Sequence, residues 1–497
     1  MTDEVDLLVL GAGMAGCAAA LRAAQQGASV VLLEKAPAIG GSAAYAGFVW
    51  SAPTVEVMRT VNPDADPALA DRLVEDYDDA VDWLRSLGVE IGEPVSVVGF
   101  GRGRAADTAN FLLTCERTLR EADGCELLLG ALAERLLIDA GRVCGARVTD
   151  SSGAVREIRA RSTLLATGGF GGDPQLRAEL IHPQARDMPL RANRGSTGDG
   201  LRLGQAAGAA FGEPNAGFYG HLIPSHIAYV DPYEFATLTF YHSEHGVLLN
   251  LEGRRFCDET IADHISPMHL IEQPEARALL IYDQHAHDHW MMQPYVQGVE
   301  PVDKFKLAYR RGARCAVAED LEEFAELPEE WGYPGPAVLD ALRDFNRRCE
   351  AGAPEPGRAN DARPLSEPPY YVIEVIPAVT FSFGGLRIDP QARVLDESGA
   401  PIPGLLAAGA DTGGVFVRAY AGGSPTRSSS ACRRPPRRSS RRAPPRRMSS
   451  TFSTPAWPLA ARPQRYARPI ITARAPSATA LTTSLPRRTP PSSTTSI

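Results

Sequence analysis

No stretch of this chain reaches the run of about 18 apolar residues that a membrane-spanning helix requires. Its eight cysteines form no C-x-x-C pair, no zinc spacing and no haem-attachment pattern. Reduced thiols in a cytoplasmic protein are the expectation. The N-terminus runs directly into an apolar strand, so no secretory leader is expected. The largest absence lies at the other end. From Ser424 to Ile497 there is no lysine, aspartate, glutamate or glycine, yet there are 15 arginines. The whole chain holds 51 basic and 60 acidic residues, so residues 1–423 keep 36 basic against all 60 acidic ones. Their formal charge is −24: an acidic body is joined to a cationic tail. At 497 residues the chain is long enough for two or three packed domains.

What is present is concentrated first in Asp6–Glu34, DLLVLGAGMAGCAAALRAAQQGASVVLLE. Val5–Leu10 is a continuous apolar run, as a strand covered on both faces should be. Gly11, Gly13 and Gly16 then form GxGxxG, and Met14 and Ala15 open an Ala-rich helix that Gly27 closes. Ser29–Leu33 reads as a second strand with Glu34 at its end. Gly11 permits the tight turn, Gly13 lets a pyrophosphate approach the backbone, and Gly16 brings helix and strand together. Free N–H groups and a partial positive charge at the helix start suit phosphates. Glu34, about 20 residues on, suits ribose hydroxyls. A glycine-rich turn alone would be weak evidence; strand, turn, helix, strand and acid in order predict a dinucleotide site. Lys35 and the loop containing Gly40, Gly41 and Ser42 follow at short range, returning small residues and backbone donors to the cofactor. That suits the longer FAD. With no second GxGxxG for NAD(P)H, the electron donor or acceptor is expected to be external.

Here the sequence resembles the fumarate reductase and succinate dehydrogenase flavoprotein family. The resemblance recurs at LLATGGFGG (164–172), STGDG (196–200), NLEGRRFCDE (250–259), FGGLRID (383–389) and IPGLLAAGADTGG (402–414). It implies an α/β fold, a Rossmann-like doubly wound FAD-binding domain with an inserted α+β capping domain. Residues 1–218 and 366–423 would form the first, 219–365 the second, and 424–497 a separate tail. It further implies FAD contacts from Ala166, Thr167, Gly168, Asp199, Gly409, Ala410 and Asp411. No histidine stands in GGSAAYAG, where covalently flavinylated relatives carry theirs, so FAD is expected to be non-covalent. Between these motifs, Pro67–Leu87 reads as one amphipathic helix and Leu201–Ala210 as another. Leu127–Leu129, Glu134–Asp139 and Ala146–Asp150 read as a meander, and Thr163–Thr167 as a buried strand. Tyr370–Pro377 and Gly385–Asp389 read as strands of the returning FAD domain.

The resemblance implies hydride transfer between flavin N5 and a carbon next to a carbonyl or carboxyl group, with a second group moving the neighbouring proton. A small-molecule substrate follows. The dicarboxylate clamp of fumarate reductases is mostly absent. Ala262-Asp263 stands where the proton-delivering Arg is expected, Thr380–Phe383 where a His is, and Tyr420 where a second Arg is. Leu238-Thr239 replaces a Thr-Glu pair, and His221 is left as the substrate-facing candidate. Tyr420-Ala-Gly-Gly instead resembles the Tyr-x-Gly segment of 3-oxosteroid dehydrogenases, which implies a tyrosine hydroxyl and a backbone N–H polarising a ketone. Tyr219 and Tyr241 are candidates for the base, although ordinary packing explains each equally well. VTFSFGGLRID also resembles tricarballylate dehydrogenases, a reading in which Arg418 serves a carboxylate. His285, His287 and His289 look metal-like but lack supporting ligands, so no metal is expected.

In this family the Gly-Gly pair leads into a long apolar helix. Here Gly422-Gly423 leads into PTRSSSACRRPPRRSSRR. A solvated tail, a basic nucleic-acid tail and a reading-frame shift in a GC-rich gene compete. The frameshift reading is preferred, because out-of-frame GC-rich codons yield Arg, Pro, Ser, Ala and Thr; nucleic acid ranks last. An inactive flavoprotein or a basic-tail binding protein is the alternative class.

Overall fold

The computed structural model describes residues 4–97, 100–229, 234–293 and 301–423. The readings of the arginine-rich tail lie outside the described residues. The apolar run Val5–Leu10 sits inside an eight-stranded sheet. Val30–Glu34 and then Cys125–Leu129 lie to one side; Val155–Leu165, Pro401–Ala407 and Arg393–Leu395 lie to the other. Every pairing from Cys125–Leu129 across to Pro401–Ala407 is parallel. Parallel neighbours on both edges and cover on both faces account for the unbroken apolar run. The Met14–Gln25 helix buries Cys17, Ala18, Ala19 and Ala20 beside it, small side chains that allow close approach. The α/β class with a parallel dinucleotide-type sheet is the one the sequence predicts.

Leu127–Leu129 does not open the meander. It runs parallel to Val30–Glu34, with Leu32 opposite Leu127. The meander is Ala131–Asp139, Arg142–Asp150 and the first half of Val155–Leu165. One strand serves both: exposed where it closes the meander, buried where it enters the parallel sheet. Only the buried end carries an apolar signal, and this is why the strand reads as starting near Thr163.

A second, antiparallel sheet runs Phe218–Pro224, Tyr370–Ser382, Ala278–Asp283, Val247–Asn250, with Cys315–Ala318 also on Tyr370–Ser382. Tyr370–Pro377 is therefore not a strand of the dinucleotide sheet. It is the centre of this second sheet, and its apolar residues pack there. Pro377 is tolerated because the pairing to Ala278–Asp283 ends at Val375, leaving only Phe218–Pro224 as a strand neighbour. Gly385–Asp389 makes isolated bridges through Leu386 and Ile388 rather than a strand.

A small third sheet joins Gly422–Gly423, Phe48–Ser51, Gly101–Ala105 and Val95–Val97. The expected helix over 67–87 is two, Pro67–Glu75 and Tyr77–Ser86, meeting at Asp76. Tyr77 is buried and its hydroxyl donates to the Val49 carbonyl at 3.2 Å, so the second helix is aimed by that contact rather than by a continuous apolar stripe. The later helix is Asp199–Ala206, shorter than expected, because Ala209 and Phe211 bridge to Asp396 and Leu386. Among the described residues no helix is long and apolar enough to cross a membrane.

Candidate active site

The end of the first strand, the start of the Met14–Gln25 helix and the ends of Val30–Glu34 and Val155–Leu165 face one cavity of about 420 Å³. Glycine does distinct work at each position of GAGMAG. Gly11 takes φ +102°, and a Cβ there would lie 2.3 Å from the Ala166 carbonyl oxygen. A Cβ on Gly16 would lie 1.9 Å from the Gly11 carbonyl oxygen. These two glycines are required by packing. A Cβ on Gly13 would meet nothing nearer than the Gly40 carbonyl at 3.9 Å, so this position opens onto the cavity. An open backbone at the helix start is what a diphosphate needs.

Most residues expected to hold the cofactor line this cavity: Gly11, Gly13, Met14, Ala15, Glu34, Lys35, Gly41, Ser42, Ala166, Thr167, Gly168, Asp199, Gly409 and Ala410. Gly16, Gly40 and Asp411 stand behind the lining. Gly40 donates its N–H to the Ala12 carbonyl at 2.8 Å. Asp411, 1% exposed, accepts from the N–H of Gly169 at 2.8 Å and from the Thr167 hydroxyl at 3.0 Å. It ties the turns after two neighbouring strands together, and burial pushes its carboxyl up. The two Glu34 oxygens accept from the N–H groups of Ala12 and Ala36, both at 2.9 Å. The Lys35 ammonium sits 2.6 Å from Asp199.

At the far end the cavity changes character. Phe381, Phe383, Phe416 and Tyr420 line it. The Tyr420 ring lies 4.3 Å from Tyr219, 4.9 Å from Phe416, 5.2 Å from Trp50 and 5.3 Å from Phe381, centroid to centroid. Burial raises its phenol well above the usual range. Tyr219 and Tyr241 are half-buried. Tyr219 meets His221 Nε2 at 3.0 Å, and the Tyr241 hydroxyl accepts from Arg191 at 3.1 Å while its ring packs on His221.

Three polar residues here were not among the site residues expected from the sequence. Asp263 Oδ2 lies 2.6 Å from His221 Nδ1. His264 donates Nε2–H to the Tyr420 carbonyl at 3.0 Å. Arg191 reaches both Tyr241 and Thr380. Burial pushes the His221 imidazole down to about 4, with the Asp263 carboxylate opposing and the Arg191 and His264 charges assisting. The Asp263 carboxyl is held below its ordinary range by His221 and His264, against the cost of burial. At neutral pH this is a neutral imidazole on an ionised carboxylate. The one sequence signal was the unexpected Ala262-Asp263 in the place of an arginine.

Arg418 does not serve this cavity: it is more than half exposed and pairs with Glu272. The histidine cluster separates too. His285 stacks on His289 at 4.0 Å, whereas His287 stacks on Tyr371 at 4.5 Å.

Comparison with known proteins places the chain. A family model described as an FAD binding domain matches residues 6–426. Fumarate reductase (cytochrome) of Shewanella frigidimarina is 27% identical over 85% of this chain and 74% of its own length. Vinyl phenol reductase of Lactiplantibacillus plantarum is 28% identical over 85% and 93%. The solved 3-ketosteroid-delta4-(5alpha)-dehydrogenase of Rhodococcus jostii shares the fold, with a TM-score of 0.67 at 22% identity over 87% and 97% of the two chains. The chain belongs to the FAD-binding domain family and is an FAD-dependent oxidoreductase of the class acting on CH–CH bonds. The residues present fit that cofactor: an open glycine at a helix start, a carboxylate at the end of the second strand, and a cation beside it.

Proposed function

We propose that this enzyme dehydrogenates a CH–CH bond next to a ketone on a flat, cyclic substrate, or reduces the matching enone. FAD, held non-covalently by Gly11, Gly13, Glu34, Lys35, Gly41 and Ser42, supplies the hydride acceptor or donor; an external partner then exchanges its electrons. Tyr420 donates a hydrogen bond to the ketone oxygen, making the neighbouring C–H acidic. Tyr219 exchanges that proton, while Tyr241 orients His221. Phe381, Phe383 and Phe416 supply apolar walls for a ring system and exclude water. A cytoplasmic location goes with this reading, which the free thiols of the seven cysteines among the described residues support.

The observation that carries the reading is the buried His221–Asp263 pair. Where the resemblance implied an arginine, this pair supplies no positive charge for an anionic substrate. A second reading, a carboxylate substrate, draws on Arg191, which lies within hydrogen-bond reach of Thr380 and Tyr241.

The test compares FAD-loaded protein, with an artificial electron acceptor or donor, on cyclic ketone–enone pairs and on succinate and fumarate. Faster turnover of the cyclic pair is expected. Equal or faster turnover of the dicarboxylates removes the ketone reading.

A further inference from the structure

We propose that Asn62 is a positioning residue for this site: its side-chain amide clasps the loop 413–421, sets Phe416 and Tyr420 in the cavity wall, and so fixes which ring substrates the site accepts. The proposal rests on the ketone reading above and extends it to a residue outside the cavity.

Residues 413–421 contain neither helix nor strand, yet Val415, Phe416 and Tyr420 line the cavity. Asn62 directly follows the helix Val55–Val61 and is 2% exposed. Its Nδ2 donates to the Val415 carbonyl at 2.8 Å, and its Oδ1 accepts from the Val417 N–H at 3.1 Å. A side-chain amide carries both a donor and an acceptor, so it can bond main chain as a neighbouring strand would. A carbonyl only accepts and an N–H only donates, which fixes the orientation of the amide. Phe416 stands between the two bonded residues and reaches the cavity, its ring 4.9 Å from that of Tyr420. Asp66, four residues after Asn62, adds a bond from its N–H to the Gly414 carbonyl at 2.8 Å.

The loop needs this hold. Arg418 takes φ +55°, a left-handed conformation that is costly for any residue but glycine. Such a residue persists where its surroundings over-determine it. Here the Arg418 N–H donates to the Ala216 carbonyl at 2.7 Å, while the preceding N–H, that of Val417, is taken by Asn62. Two residues further on, Tyr420 stands in the wall with its ring 6.1 Å from that of Phe383. Without the amide, the N–H of Val417, a residue 6% exposed, loses its partner, and the loop must move to rehydrate it. Phe416 and Tyr420 move with the loop. Asn62 does not itself line the cavity, so it acts on the substrate through those two side chains.

The experiment uses the FAD-loaded full chain and two variants. Asn62→Ala removes both bonds; Asn62→Asp keeps the shape and the acceptor but, when ionised, offers the Val415 carbonyl no donor. Flavin content and melting temperature show which variants stay folded, and where Asn62→Ala does not, Asn62→Asp decides. Hydrogen–deuterium exchange should quicken about tenfold or more in 413–421 and keep its wild-type rate in Val5–Leu10. Turnover is then compared on a bicyclic enone and a small open-chain enone. The preference for the bicyclic one should fall about tenfold or more, chiefly through KM. A merely structural role lowers both rates equally and leaves that ratio intact. A folded variant with wild-type exchange in the loop, or with the wild-type ratio, overturns the proposal while the ketone reading stands. Wild-type protein that turns over fumarate and no enone overturns the ketone reading instead. In that case a variant whose KM for fumarate is unchanged overturns the role of Asn62 as well, so the two failures are distinguishable.

Discussion

A phenol as deeply buried as Tyr420, 7% exposed among five aromatic rings, costs stability unless its hydroxyl has a use. If that use is the ketone oxygen, Tyr420→Phe should lower kcat by roughly 10²–10³ while leaving flavin content unchanged. Stopped-flow or steady-state rates check this; a loss below about tenfold returns Tyr420 to packing. Single residues also set the pH response of stability. His221 is pushed down to about 4, so as pH falls below the ordinary imidazole value the unfolded chain takes up a proton that the native site resists. Its contribution is present above about 6.5 and lost as pH falls toward 4. Glu244 acts in the opposite sense. Burial, aided by Asp263, pushes its carboxyl up to about 8, and its Oε2 is sealed from solvent without a hydrogen-bond partner. The unfolded chain releases that proton near 4.5, so stability is lost as pH rises from there to 8. Glu244→Gln should therefore raise stability at pH 8 by about 2–4 kcal/mol and leave it nearly unchanged at pH 4.5. Thermal melts at the two pH values decide it, and equal gains at both would contradict the assignment.

At the scale of elements, the cavity is held in shape by contacts between strand ends. The tie of Asp411 to Thr167 and Gly169 passes directly over Gly200, where a Cβ would lie 2.3 Å from Asp411 Oδ2 and 2.8 Å from the Thr167 hydroxyl. Gly200→Ala should cost about 1–3 kcal/mol and reduce bound flavin. A melting curve and an absorbance ratio of flavin to protein test this; unchanged values would mean the tie can move aside. Which elements could be read in advance follows from where their signal resides. The GAGMAG unit was legible because turn, helix and both strands are local, Gly11 and Gly16 are required by packing and Gly13 leaves the backbone open. Tyr370–Pro377 was legible as a strand but not as part of the centre of the second sheet, because an apolar run is the same in either sheet. The break at Asp76 depends on Tyr77 reaching Val49, a contact 28 residues away. The His221–Asp263 pair, 42 residues apart, carries no periodicity at all. Only the missing arginine marked the place.

At the scale of the whole molecule, the question is where the working protein stops. The described chain ends in the cavity wall. Gly422 and Gly423 pair with Ser51 and Trp50, Ala421 is fully buried, and Gly422 lines the cavity. The family match ends at residue 426, where the composition changes. In the frameshift reading, residues from Ser424 onward replace an apolar helix that would bury surface worth about 25 cal/mol per Å². Its N-terminus would also offset negative charge on a bound anion. An Arg, Pro and Ser composition offers no apolar face, and proline interrupts helices. A chain stopped after Gly423 should therefore match the full chain in flavin content and melting temperature. A chain stopped after Ala419 should lose both, because it gives up Tyr420 and the pairing to Phe48–Ser51. Translating the alternative frame beyond Gly423 should raise flavin content and melting temperature above those of the chain as it stands. If stopping after Gly423 instead strips flavin from a yellow protein, residues 424–497 contribute to the fold and the frameshift reading is wrong.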